Sequence, residues 1–294
     1  MLPICFWLIL QIQNNKMEII NAHVHMVEIE KAISDDTAAM LSENPVYHDL
    51  GAMVELMAPE NLIKQMDEAN IDKSVLYAVD APIVYSSNEY VSSLVKKYPE
   101  RLIGFASVNP LRENAVAILE NAIKNLGLRG CKFHPPLQNF YPNGKKVFPI
   151  YEKLAELGVP VVFHVGSTPF GGMAKLDQAN PILLDEVATA FPKLKIMLTH
   201  LGTLWSNEAF MVVEKHPNVY IDTAAYLYEI PQLLTSDLIT RLGENKIIFG
   251  TDYPTPFGND KHKMKNFVDC IKNLPLSDKQ KENIFSKNFY SLFV

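Results

Sequence analysis

From Met17 to the C-terminus, short apolar runs rich in β-branched residues alternate with amphipathic stretches whose apolar positions recur at helical spacing, and the alternation repeats eight times. The runs predict strands at Glu18–His25, Asp72–Val79, Arg101–Val108, Leu128–His134, Val159–Val165, Lys195–His200, Val219–Thr223 and Lys246–Asp252. The stretches between them predict helices at Pro59–Asn70, Asn88–Lys97, Glu113–Asn125, Val147–Leu157, Pro181–Phe191, Leu204–Lys215, Ile230–Leu242 and Lys261–Asn273, with a last helix over Asp278–Tyr290. A strand followed each time by a helix makes a parallel sheet. Runs such as Val161-Val162-Phe163 and Ile247-Ile248-Phe249 are apolar without alternation, as strands covered on both faces are. Eight such units close into a (β/α)8 TIM barrel, and neither a G-x-G-x-x-G turn nor a Walker loop supports an open doubly wound sheet. No internal boundary divides the chain, so residues 17–294 read as one α/β domain.

Composition narrows the function classes. Of the 294 residues, 48% are apolar and 20% charged, with a formal net charge of −6 and no basic stripe, which argues against a nucleic-acid partner. Cys5, Cys131 and Cys270 are odd in number and far apart, so neither a disulfide framework nor a cysteine zinc site is expected, and a cytoplasmic location is the simplest reading. Residues 1–16 form an apolar extension around Leu2–Leu10. It lacks the basic opening of a signal peptide and falls short of the roughly 20 residues that span a bilayer. The expectation is a natural start near Met17; a weak signal sequence and a segment docked on a neighbouring subunit are the alternatives.

Ionisable residues collect at the C-terminal ends of the predicted strands. His23 and His25 end the first, and residues two apart on a strand share a face. His164 ends the fifth in Val-Val-Phe-His-Val-Gly, His200 the sixth in Met-Leu-Thr-His-Leu-Gly, and Asp252 the eighth in Phe-Gly-Thr-Asp-Tyr-Pro. In a barrel all five lie at the rim where the loops carry chemistry. Burying them separately would cost several kcal/mol each, roughly. A shared divalent ion removes that cost, and imidazoles with a carboxylate suit zinc or a similar metal.

The ordered phrases Ile-Asn-Ala-His-Val-His, Gly-Cys-Lys-Phe-His-Pro, Leu-Thr-His-Leu-Gly and Phe-Gly-Thr-Asp-Tyr-Pro resemble the amidohydrolase superfamily, in particular its amidohydrolase-related branch. That branch includes aminocarboxymuconate-semialdehyde decarboxylase, related aromatic-acid decarboxylases and lactone hydrolases. The resemblance runs over essentially 17–294. It implies one divalent metal ion, Zn2+ first, held by His23, His25, His164 and Asp252, with Asp252 and His200 catalytic. It also leaves a homodimer open.

Strand four carries an ambiguity. Lys132 and His134 lie two apart, so both can face inward. Lys132 can be carboxylated and bridge a second metal, with His164 and His200 as that ion's ligands, or remain an ammonium that clamps a substrate carboxylate or pairs with Asp252. The ammonium reading is preferred, with His134, Trp205 and Tyr253 as further substrate-binding residues. Tyr141 and Phe170 stand in rim loops, and Gly171-Gly172 suits a mobile lid. His48 can reach substrate from the first loop, while His216 at the opposite rim and His262 on the surface carry no expected chemistry.

The expected reaction is hydrolysis of an ester, lactone or amide of a small carboxylated substrate by a metal-activated water whose pKa falls toward roughly 7. Asp252 would take the proton and pass it to the leaving group. The alternative is non-oxidative decarboxylation of an aromatic or unsaturated acid. Decarboxylases of the branch often carry Glu after the strand-six His-x-Gly, where this chain has Thr203, and that tilts the expectation toward hydrolysis. A non-catalytic metal-binding barrel is the rival from another class.

Overall fold

The computed structural model describes residues 17–28, 55–82, 84–168, 170–254 and 263–293. The apolar extension 1–16, His48, His262 and most of the loops after the first and eighth strands lie outside these residues.

The chain forms a closed (β/α)8 barrel. Its strands are β1 (Ile20–His25), β2 (Lys73–Tyr77), β3 (Leu102–Phe105), β4 (Cys131–Phe133), β5 (Val161–Phe163), β6 (Ile196–Leu198), β7 (Val219–Asp222) and β8 (Ile247–Ile248). Parallel pairing runs β1-β2-β3 in one segment and β4 through β8 in another. Two seams join them. Ala106 N donates to Gly130 O at 2.8 Å and Lys132 N to Ala106 O at 2.7 Å, while Ala22 N donates to Phe249 O at 2.8 Å and His25 N to Tyr253 O at 2.7 Å. Closure leaves no free sheet edge.

Side chains sort by alternation. Ile20, Ala22, Val75, Tyr77, Phe105, Val162, Met197, Tyr220 and Ile248 fill the barrel interior. Phe289 and Leu292 of the last helical segment pack into the same cluster. The intervening residues, among them Val24, Leu76, Cys131, Phe133, Val161, Phe163 and Leu198, join the larger core under the helices. This double burial explains the unbroken apolar runs.

The helices are α1 (Pro59–Ala69), α2 (Asn88–Lys97), α3 (Ala115–Lys124), α4 (Phe148–Leu157), α5 (Leu183–Ala190), α6 (Ser206–Lys215), α7 (Ser236–Leu242) and α8 (Met264–Asn273). α2 has its expected bounds because Ser87 Oγ accepts from Tyr90 N at 3.1 Å and caps its start. The single helix expected over Ile230–Leu242 is two, since Thr235 Oγ1 accepts from Leu238 N at 3.1 Å and begins α7 anew after a four-residue turn. The strands are shorter than the apolar runs, because burial continues past the point where a neighbouring strand still offers ladder partners. A two-residue hairpin, Val79–Asp80 against Tyr85–Ser86, follows β2 and has no counterpart among the expected elements.

Candidate metal centre

At the C-terminal rim, His23 and His25 both turn to the barrel axis. Their facing is not simple alternation, because Ile20 and Ala22 also point inward. The β1–β2 register slips between Asn21 and Val24. That bulge lets Ala22 and His23 face the axis in succession, with Val24 outward and His25 inward again.

His23 Nε2 lies 3.1 Å from His25 Nε2 and 3.1 Å from Asp252 Oδ1, and His25 Nε2 lies 3.3 Å from the same oxygen. Two ligands about 2.1 Å from one ion stand about 3.0–3.4 Å apart at octahedral or tetrahedral angles. The three donor atoms therefore have the mutual spacing of ligands on one face of a coordination shell. Burial opposes charge on the Asp252 carboxyl, yet the His23 charge and hydrogen bonds from His23 and His25 hold its pKa well below the usual carboxylate range. Burial keeps the His25 pKa below the ordinary histidine value. A carboxylate and neutral imidazole nitrogen are the forms a divalent ion needs. Gly250 makes room for them, since a Cβ there would stand 3.0 Å from His23 Cβ.

Asp222, at the end of β7, joins the candidate site, although it is not among the residues expected from the sequence. It is fully buried, and its Oδ2 accepts from His23 Nδ1 at 2.7 Å. Its Oδ1 accepts from His200 N at 2.7 Å and from Ala224 N at 3.1 Å. Burial and Lys132 work against an imidazolium at His23, but Asp222 and Asp252 together raise its pKa above the ordinary value. The Nδ1–H bond to Asp222 leaves His23 Nε2 free to ligate. The signal was present: Val-Tyr-Ile-Asp is an apolar run ending in a carboxylate, as is the run before Asp252. Asp222→Asn is expected to weaken metal binding about 10–100-fold with the fold retained. Competition against a chelator measures this, and unchanged affinity would refute the orienting role.

His200 begins a turn in which it, Leu201 and Gly202 have φ of 63°, 48° and 70°. Only glycine adopts that region without strain, and a Cβ on Gly202 would sit 2.4 Å from Ala209 Cβ on α6. His200 Nδ1 donates to Ala224 O at 2.8 Å. Burial pushes its pKa down to about 4, so Nε2 keeps its lone pair at neutral pH. That lone pair accepts from His164 Nδ1 at 3.0 Å, which leaves His164 Nε2 buried and without a hydrogen-bond partner among the described residues.

The expected four-ligand set is thus only partly brought together. Among the described residues, the groups of three donor atoms within 4.8 Å of one another are His23–His25–Asp252 and His23–His200–Asp222, and His164 belongs to neither. His164 is held back by its bond to His200 and by a parallel stack on His134, with ring centroids 3.8 Å apart. Its free Nε2 is the atom left to ligate. For a second ion, His164 and His200 would have to give up their mutual hydrogen bond.

Lys132 is buried to 2% exposure, 5.2 Å from the Tyr77 ring centre, and Nζ has no hydrogen-bond partner among the described residues. Burial lowers its pKa to about 8 against the opposing pull of Asp222 and Asp252. His134 lies beside it, its Nδ1 accepting from Leu137 N at 3.3 Å.

One expected pocket residue is placed elsewhere. Tyr253 is buried in the outer core, with its hydroxyl donating to Leu56 O at 2.8 Å. Asp252 has left-handed backbone, with φ of 55°, and the residue after it turns into the outer core, so Tyr253 packs rather than lines the pocket. Trp205 is half-buried just before α6, and among the described residues no hydrogen bond or ring contact ties its side chain to the histidines. Tyr141 is exposed, its hydroxyl donating to Asp177 Oδ2 at 2.6 Å, and His216 pairs with Asp185 at 2.6 Å.

A closed barrel with imidazoles and a carboxylate converging at its C-terminal rim defines a metal-dependent barrel enzyme. The chain belongs to the amidohydrolase family, whose model matches residues 20–293. It is similar to a 2-keto-4-carboxy-3-hexenedioate hydratase of Sphingobium sp., 25% identical over 261 residues that cover 74% of this chain and 72% of that one. It is also similar to a 2-amino-3-carboxymuconate-6-semialdehyde decarboxylase of Dictyostelium discoideum, 24% identical over 276 residues, 78% of this chain and 75% of that one. Among solved structures, a dihydroxybenzoic acid decarboxylase from Polaromonas sp. with bound manganese and the inhibitor 2-nitroresorcinol superposes with a TM-score of 0.73 at 21% identity, covering 94% of this chain and 96% of that one. Among the described residues no helix is long and apolar enough to cross a membrane.

Proposed function

We propose that this chain is a metal-dependent, non-oxidative decarboxylase of a small aromatic or unsaturated acid that bears a carboxylate. The observation that carries the reading is Lys132: a buried ammonium with no hydrogen-bond partner among the described residues, beside a site built for a cation. An unpaired buried charge is costly, and a substrate carboxylate is the partner that removes the cost. The named activities of the Dictyostelium and Polaromonas relatives support decarboxylation over the hydrolysis that Thr203 favours in the sequence. Thr203 itself weakens that inference. Its Oγ1 donates to Glu229 Oε2 at 3.1 Å, so a carboxylate from the segment after β7 lies beside this position.

His23, His25 and Asp252 would hold the ion, with His164 Nε2 as the fourth donor. When bound, the ion supplies the positive charge that fixes the substrate's oxygen atoms. Zinc and manganese both accept this donor set, and manganese in the Polaromonas neighbour keeps it beside zinc. Lys132 pairs with a carboxylate and His134 lines the acid-binding side. Asp252 starts as a carboxylate, accepts a proton from a substrate hydroxyl or from water, and delivers it to carbon. The bond to the departing carboxylate breaks, its electron pair stays on the ring or alkene carbon, that carbon takes the proton, and CO2 leaves. His200, neutral and fixed through Ala224 O, would offer the substrate a polar ring without adding charge.

The protein loaded with Mn2+ or Zn2+ is expected to release CO2 from members of a panel of hydroxybenzoic and carboxymuconic acids. Turnover of lactones and esters with no CO2 release would restore hydrolysis. Water addition to an unsaturated keto acid, the activity named for the Sphingobium relative, would also overturn the proposal.

A further inference from the structure

The bulge in β1 creates a problem that one side chain solves. In an unbroken strand with Ile20 and Ala22 inward, Val24 would follow them to the axis and both histidines would point into the outer core. One extra residue between the positions paired with Ser74 and Leu76 reverses this. The same insertion disrupts the ladder at His23, and a buried N–H left unpaired there costs about 1–3 kcal/mol.

Asn21, itself fully buried, meets that N–H. Its Oδ1 accepts from His23 N at 3.2 Å and also from Thr251 N at 3.0 Å, while its Nδ2 donates to Thr251 Oγ1 at 2.8 Å. Thr251 directly precedes Asp252, whose own φ is 55°. One amide therefore ties the backbone of His23 on β1 to the residue before Asp252 at the end of β8, across the seam that closes the barrel. We infer that Asn21 is a positioning residue: its side chain fixes the bulge and thereby sets the separation of His23 Nε2 and Asp252 Oδ1 for a divalent ion. The inference rests on the metal centre and not on the reaction assigned to it.

The test reads metal retention. Full-length protein loaded with Zn2+ is titrated with a chromophoric chelator, and melting of the stripped protein is followed in parallel. Asn21→Leu, close in volume but without acceptor or donor, is expected to weaken Zn2+ binding about 10–100-fold, as lost support of a ligand does. Asn21→Asp keeps the acceptor for both backbone N–H groups, and the Thr251 hydroxyl can turn to donate; it is expected to hold Zn2+ at least as tightly as wild type. A purely structural role predicts that Asn21→Leu lowers the melting temperature of the stripped protein and leaves Zn2+ affinity unchanged, and that result overturns the inference. Equal losses in Asn21→Asp and Asn21→Leu overturn it as well. If Asn21→Leu does not accumulate as folded protein, Thr251→Val removes only the hydroxyl that holds Nδ2. A several-fold loss of affinity is then expected, and wild-type affinity counts against the proposal.

Discussion

Asp252→Asn is expected to cut turnover by about 10³-fold or more while the barrel stays folded, because the substitution removes the proton carrier and little else. The amide is nearly isosteric, and its oxygen can still face His23 Nε2 and His25 Nε2, which lie 3.1 and 3.3 Å from Asp252 Oδ1. What disappears is basicity. Without the ion the carboxylate is kept ionised by the histidines around it, led by the charge on His23, against the pull of burial, and a bound cation would favour the same form. An amide takes up no proton at neutral pH and has none to hand to carbon. The metal should survive, with affinity reduced by the loss of one negative charge. Steady-state kinetics on the cognate acid, with metal content measured on the same sample, separates the two effects. Turnover within tenfold of wild type in metal-replete Asp252→Asn would remove Asp252 from the proton path.

Stripping the metal is the second large effect. His23, His25 and Asp252 are set at ligand spacing by a β-bulge, by left-handed backbone at Asp252 and by the buried carboxylate of Asp222. An ion that binds this arrangement and not the unfolded chain stabilises the fold by about 4 kcal/mol at a thousandfold excess over its Kd. For a domain of this size that corresponds to a melting temperature lowered by about 10 °C on removal. Chelation followed by elemental analysis and calorimetry measures the shift, and readdition of Mn2+ or Zn2+ should restore both the melting curve and turnover. A verified metal-free sample that melts with the loaded protein would show that the centre is not occupied as described here.

Much of this was legible in the chain. The strand–helix alternation announced the barrel, since each apolar run is buried on both faces and each helix needs one face inward. The strand ends announced the chemistry, because an ionisable residue directly after such a run must be buried near the rim. His23, His25 and Asp252 were visible in this way. Asp222 carries the same signature, an apolar run ending in a carboxylate, but a single such run does not tell a site residue from an isolated strand-end carboxylate. The break at Thr235 was hidden because apolar spacing continues across it while the cap is a local hydrogen bond. Tyr253 is adjacent to Asp252 in sequence, but the left-handed backbone at Asp252 is a local feature that no apolar pattern reports, and Tyr253 packs in the outer core.

One-dimensional periodicity determined the fold class, the order of the elements and the side chains available to hold an ion, because those depend on which residues are apolar and how far apart they recur. The tertiary structure alone decided which donors converge. Three meet at ligand distance, and His164 is drawn toward His200 and His134 instead. It also decided that Asn21 and Thr251, 230 positions apart, share one amide. The physical reason is that register, bulges and barrel closure act between strands. A contact between the first strand and the last leaves no periodic trace in either.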